Sequence, residues 1–175
     1  MLHDVTILQF AKMLQNLDAC LDKAAAHAAA KNGDSAVLMA SRLVFDQLPL
    51  IVQVLIACDT AKLGASRLTG KPAPSYEDTE KTLDEAKARI AKTMAFLATL
   101  TESDFAGAED RVISQPRWKG KTLSGKEFAL QHMMPNFYFH VTTAYAILRH
   151  NGVDLGKKDF LGPLPYQEPA VTAQA

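Results

Sequence analysis

The sequence predicts an all-α fold: a four-helix bundle with a short β-hairpin excursion between the third and fourth helices. Three observations predict it. Apolar side chains recur at alternating steps of three and four over long stretches, the period of a helix with one buried face. Glycine, proline and asparagine collect between those stretches, where the chain must turn. Only over residues 109–123 does the pattern change to short extended runs, set around a tight turn at Pro116–Gly120.

The first stretch carries Ile7, Phe10, Leu14, Leu17, Leu21, Ala24 and Ala28 as a single stripe. Asn32-Gly33-Asp34 ends it. Gly33 is expected in the left-handed cap, with Asp34 or Ser35 starting a short helical piece over 36–40. The second helix is expected over 46–68. With Asp46 as its N-cap, Pro49 falls in the first turn, where its missing N–H has no helical partner to lose. Residues 48–57 are apolar almost all round, which predicts a central place in the bundle. Asp59 interrupts that seam and calls for an arginine or lysine partner.

Gly70-Lys71-Pro72-Ala73-Pro74 reads as a stiff linker, after which Ser75 or Thr79 caps a third helix. Its stripe is Leu83, Ala86, Ile90, Met94 and Leu97. Glu80, Lys81, Asp84, Glu85, Lys87 and Lys92 on the other face read as solvated surface. Residues 111–114 and 121–123 then flank the turn as a hairpin. Ser124-Gly125-Lys126-Glu127 is a capping box and opens a fourth helix that runs to His150, closed by Asn151-Gly152. Pro135 inside that helix removes the hydrogen bond to the Gln131 carbonyl and predicts a kink. The glycines and prolines beyond Val153 predict no further helix. Residues 1–164 are expected to form one domain and residues 165–175 a mobile tail. The connection after the second helix suits antiparallel neighbours, whereas the 101–124 connection is long enough to cross the bundle.

Composition excludes several functions. Nineteen Lys and Arg balance nineteen Asp and Glu, so no basic field recruits nucleic acid, and no such partner is expected. Trp118 among Arg111, Arg117, Lys119 and Lys121 reads as a guarded hairpin edge rather than a base-stacking patch. The longest apolar run, Leu48 to Cys58, is interrupted by Pro49 and Gln53 and is too short to span a bilayer. With no basic and apolar leader at its start, the chain reads as cytoplasmic. Cys20 and Cys58 are too few for a disulfide framework and sit on apolar helices as inert core thiols. No glycine-rich phosphate loop, G-x-S-x-G or C-x-x-C occurs, which removes the common nucleotide, hydrolase and redox readings.

The polar residues that stand out lie on the second and fourth helices. His132, Asn136 and His140 recur every fourth residue and share a face. The two imidazoles are roughly 12 Å apart along the axis, too far to share one ion. A metal would have to combine one of them with Asn136 and carboxylates from other helices. Amide oxygen is a poor ligand for zinc or nickel, and that chemistry favours buried side chains hydrogen-bonded across the bundle. Asp46 and Gln53, two turns apart, are candidates to face His140 as base and positioning donor. Phe137, Tyr138 and Phe139 point about 100° apart, so one face cannot bury all three. Tyr138 and Tyr145 share a face suited to a ligand or a second subunit.

Four stretches together resemble a bacterial family known as a domain of unknown function. They are Phe45-Asp46-Gln47-Leu48-Pro49-Leu50, Gln53 with Ile56-Ala57-Cys58-Asp59, the run from Pro135 to Tyr145, and Gly156 to Gly162. That family is similar to the DinB/YfiT-like superfamily of four-helix bundles. The resemblance implies a divalent metal held by three histidines, one from the second helix and two from an H-x-x-x-H on the fourth. It also implies chemistry of the kind found in superfamily members, thiol-dependent transferases and an isomerase. His140 matches the last of the three histidines. Asn136 stands where the second would be, and the second helix has no histidine, Gln53 and Asp46 being the nearest candidates.

The resulting expectation is a DinB-like bundle with a small-molecule or metal site between the second and fourth helices, built from His140, Asn136, Gln53, Asp46, His132 and Tyr138. Only His140 is a candidate metal ligand, and the ligand chemistry weighs against a bound divalent metal. Any activity would be that of a metal-dependent transferase. The alternative is a non-catalytic bundle that acts in assembly or partner binding. A homodimer is expected in either case, because the aromatic run and the Phe160-Leu161-Leu164 cluster exceed what a monomer leaves in water.

Overall fold

The computed structural model describes residues 1–167, and the far end of the expected mobile tail, 168–175, lies outside the described residues. Four long helices form the bundle. A wide π-helical turn, Asp4–Leu8, leads into α1 (Gln9–Ala30). A short α2 (Ser35–Ala40) follows, then α3 (Leu50–Thr69) and α4 (Leu83–Leu97). Two strands, β1 (Val112–Ser114) and β2 (Thr122–Ser124), pair antiparallel with Ile113 opposite Leu123. One helical turn, α5 (Gly125–Glu127), continues through a π-helical stretch, Phe128–Met133, into α6 (Met134–His150). A final turn, α7 (Lys157–Leu161), closes the described chain.

Packing sets the order of the helices around the bundle. α3 lies against α6 and α4, and α1 against α4 and α6, so α1 and α3 face each other across a diagonal, as do α4 and α6. The 101–124 connection is therefore a crossover. So is the first connection, over 31–49, where the periodicity carries no such signal. The apolar stripes meet in one core in which Phe10 stacks on Phe137 at 3.9 Å. Cys20 and Cys58 are buried there as free thiols. Burial pushes Cys58 up to about 12 and Cys20 up to about 11, which leaves both protonated and unreactive.

Four boundaries differ from the expectation, each for a local reason. Asp46 is not an N-cap: it is exposed in a turn, and α3 starts only at Leu50. Leu48 precedes a proline, which disfavours the α region at that residue, and Pro49 itself is extended with ψ 166°. The α4 cap is Thr82, whose hydroxyl accepts the Glu85 N–H while the Glu85 carboxylate accepts that of Thr82. Upstream, Glu80 and Asp78 are drawn onto Arg89 at 2.7 and 2.8 Å, which pulls the linker taut instead of letting it coil. The left-handed residue after α1 is Asn32 at φ 51°, not Gly33. Finally, α7 forms where no helix was expected. The Gly156 N–H donates to the Asp159 carboxylate, Lys23 pairs with Asp159 at 2.7 Å, and Asn16 donates to the Phe160 carbonyl.

The supposedly solvated face of α4 is also partly engaged. Lys87 bridges to Asp18 and Asp22 of α1, at 3.0 and 2.6 Å. Asp59 has the partners its position demanded, Lys62 at 3.0 Å and Arg89 at 3.4 Å.

Candidate functional cleft between α3, α6 and the hairpin

The widened turn before Pro135 shapes one wall of the site. Proline has no N–H to donate, and the fourth helix adapts by running six residues of π-helix, Phe128–Met133, immediately upstream. Such a stretch holds more residues per turn and opens the hydrogen-bond ladder where the proline would break it. Across from it, Gly64 of α3 allows close approach: a Cβ there would lie 2.5 Å from Met133 Cε. Two helices thus meet tightly at Gly64 and part on either side.

Where they part lies a cleft of about 320 Å³. Ile56, Asp59, Thr60, Leu63 and Arg67 line it from α3, at the three- and four-residue steps of one helix face. Phe128, His132, Met133 and Asn136 line the opposite wall, and Gln115, Pro116 and Arg117 of the hairpin loop close one end. His132 is stacked on Phe128 at 5.4 Å and meets the Trp118 ring edge-on at 5.3 Å.

Hydrogen bonding fixes the protonation of His132. Arg117 can only donate, and its Nη2 lies 2.9 Å from His132 Nε2, so that nitrogen accepts and Nδ1 carries the proton. Nδ1 is buried with no partner among the described residues. Burial, and then the Arg117 and Arg67 charges, push the imidazole below its ordinary value, so it stays neutral. Arg67 feels the same crowding. Burial first and Arg117 second push its guanidinium below the usual arginine range. Among the described residues, neither Arg67 nor Arg117 has a carboxylate partner, whereas Asp59 at the other end is held by Lys62 and Arg89. Asn136 Nδ2 donates to the Thr60 hydroxyl at 2.7 Å across the cleft.

The candidate residues divide into separate places. Asn136 and His132 line the cleft; His140, Gln53, Tyr138 and Asp46 do not. His140 and Gln53 meet elsewhere, at 2.7 Å. Gln53 Nε2 donates to the Leu48 carbonyl, so its Oε1 is the acceptor and His140 donates from Nδ1. Burial pushes the His140 imidazole below its ordinary value. Tyr138 packs edge-on against Phe10 and borders a shallow hollow with Leu43 and Phe139. Asp46 is an exposed turn residue and does not face His140 as a base. Arg67, Arg117 and Thr60 also line the cleft and were not among the residues expected there. For Arg67 and Thr60 a signal existed, since they continue the Ile56–Leu63 face at helical spacing; Arg117 needed the hairpin placed in space.

These residues do not fit the three-histidine metal site of the superfamily. Asn136 stands where an imidazole would be needed, with its amide committed to Thr60, and Gln53 of α3 meets His140 with an amide oxygen in place of a second imidazole. Among the described residues, no three His, Cys, Asp or Glu side chains are grouped to hold an ion.

The family model described as Domain of unknown function (DUF1993) matches residues 2–161. A crystal structure of a DinB family member protein from Shewanella denitrificans superposes with a TM-score of 0.94. The two chains are 57% identical over 97% of this chain and 96% of that one. No curated protein matches the sequence. Among the described residues, no helix is long and apolar enough to cross a membrane.

Proposed function

The chain belongs to the DUF1993 family, and from that premise we propose that it is a small-molecule-binding bundle whose site is the cleft between α3, α6 and the hairpin loop. The observation that carries the reading is the cleft itself. Its volume of about 320 Å³ suits a small ligand, and apolar walls with a few convergent polar groups are what such sites require. The DinB family neighbour supports the fold and adds nothing about a ligand. The reading is one of binding and assigns no reaction. A cytoplasmic location belongs to it, supported by the free buried thiols and the composition.

The test is a screen of small organic compounds against isotope-labelled protein, read by NMR. Compounds are expected to shift amides of residues 56–67 and 115–136. Those shifts should vanish in Leu63→Trp, a residue 37% exposed that can carry the larger ring into the cleft while the fold is kept. Hits that leave these amides unmoved, or that survive the tryptophan, would sink the reading. Tag-free protein is expected to hold less than stoichiometric zinc or nickel by elemental analysis. One tight equivalent, lost in His140→Ala, would restore the metal reading.

A second reading, assembly as a homodimer, is favoured by one exposed patch. Phe45 is 90% exposed and Phe139 57%, with Leu43, Val44 and Leu48 beside Phe45 in the turn before α3. Tyr138 and Tyr145 were the expected contacts, but Tyr145 packs against Phe160 at 5.5 Å and Tyr138 against Phe10 and Phe137. A twofold contact would therefore centre on Phe139 and Phe45. Phe45→Lys with Phe139→Lys should lower the mass seen by light scattering, and a wild-type monomer that is unchanged on dilution would remove this reading.

A further inference from the structure

Three arginines lie in or near the cleft, Arg89 buried, Arg67 half-buried and Arg117 exposed, and they differ in what they meet. Arg89, outside the cleft, is surrounded by carboxylates. Arg67 and Arg117 approach each other with no carboxylate between them among the described residues, one half-buried on α3 and the other donating to a neutral imidazole. Holding the half-buried Arg67 guanidinium beside a second positive charge is unfavourable unless something negative completes the pair. Beside them, Gln115 is only 9% exposed, lines the cleft and has no side-chain hydrogen bond among the described residues. The Thr60 hydroxyl accepts from Asn136 and so has its own proton to donate. One end of the cleft is thus rich in unused donors, and Ile56, Leu63 and Met133 supply an apolar floor.

We infer that the cleft binds a small organic carboxylate, its head group between Arg67 and Arg117 and its apolar body along Ile56, Leu63 and Met133. This rests on the reading of the cleft as a small-molecule site and names the class of ligand. Guanidinium forks match the planar carboxylate in a bidentate way, and Gln115 can donate to the same oxygens. A phosphate head is disfavoured by the surroundings. Phosphate sites are built from rows of free backbone N–H groups, whereas the N–H of Trp118 in the hairpin loop is already bonded to the Gln115 carbonyl. Asp59 at the far end, although paired, also weighs against a dianion reaching across.

The experiment titrates full-length labelled protein with benzoate and hexanoate, each against its neutral amide of nearly the same shape, and with inorganic phosphate. Both acids are expected to shift amides of residues 59–67 and 115–133 and to bind about tenfold tighter than their amides. Arg67→Gln and Arg117→Gln should each weaken the acids about tenfold, while Lys121→Gln, an equal charge change on an exposed residue, should leave them unchanged. Arg67→Lys keeps the charge without the fork and should fall between, which guards against a variant that simply misfolds. Amides that bind in the cleft as well as the acids would overturn the carboxylate assignment and leave the cleft reading standing. Phosphate bound as tightly as benzoate would overturn it too. No shift with acid or amide would overturn both.

Discussion

Two arginine sites border α3, one centred on Arg89 of α4 and the other on Arg67 of α3 with Arg117 of the hairpin loop, and they are built on opposite principles. Arg89 is 1% exposed and fully answered: Glu80 at 2.7 Å, Asp78 at 2.8 Å and Asp59 at 3.4 Å, with the Glu77 carbonyl accepting another N–H. Lys62 joins through Asp59, and the Tyr76 ring covers both cations. Arg67 and Arg117 have a histidine and each other. The first cluster ties the 70–82 linker to the bundle, and its charges are spent on architecture. The second holds unspent donors at the mouth of a cleft. Arg89 is both buried and fully paired, whereas Arg67 and Arg117 are more open and have no carboxylate partner among the described residues.

The largest effect that would break this contrast comes from Arg89→Met. Glu80 and Asp78 would lose their cation and Asp59 one of its two, and stability should fall by about 3 kcal/mol, measured by urea unfolding. A loss no larger than that of an exposed site would mean the cluster is ornamental.

Acid should next separate the two sites by pH. The folded-state values of His132 and His140 lie below the ordinary 6.5, so the unfolded chain takes up protons that the fold resists. Stability present above that value is lost as pH falls below it. Arg89 holds the Glu80 carboxyl below the ordinary 4.5, so that contribution is present above 4.5 and is lost only at lower pH. Thermal melts should show a first decline through the histidine range, blunted in His132→Gln, and a second one through the carboxylate range. A flat profile between pH 7 and pH 5 would contradict the first step.

Gly64→Ala should act more gently. The new methyl meets the flexible end of Met133, which must shift, and a cost of about 1 kcal/mol from crowding is partly offset by better helix propensity. The cleft wall moves with Met133, so ligand binding should suffer more than the melting temperature. Smallest of all is Arg67→Gln. Removing one of two like charges should leave stability within about 0.5 kcal/mol of wild type, because no ion pair is lost. A loss approaching that of Arg89→Met would erase the distinction between the two sites.

Legibility followed the range of the interactions. Stripes such as Leu83, Ala86 and Ile90 announced the helices because a helix face repeats in sequence, and the Ser124–Glu127 box announced the start of the last one. Asp59 announced its need for a cation because a lone carboxylate in an apolar seam has few alternatives. The start of α3 was misplaced because a favourable cap at Asp46 competed with the restriction that Pro49 imposes on Leu48, and the restriction prevailed. The cleft was half legible. Asn136 and His132 stood out as polar residues on an apolar helix, while Gln53 meets His140 as an acceptor and not as the donor expected, in a link between α3 and α6 away from the opening. Arg117 reaches the cleft from a hairpin that no local pattern orients, so nothing in the sequence brings it to Arg67.

The diagonal arrangement of the helices also bears on how the chain finds its structure. Of the three successive pairs of long helices, α3 with α4 alone packs side by side; α1 must wait for α4 and α6, and α6 closes against α3 from beyond the hairpin. Each of those later contacts encloses a large loop, whose entropy is lost before any burial rewards it. The α3–α4 hairpin is therefore the least costly nucleus, and it already contains the Asp59–Arg89 pair. Both walls of the cleft come together only when α6 closes against α3, so the candidate cleft is expected to form after the α3–α4 hairpin.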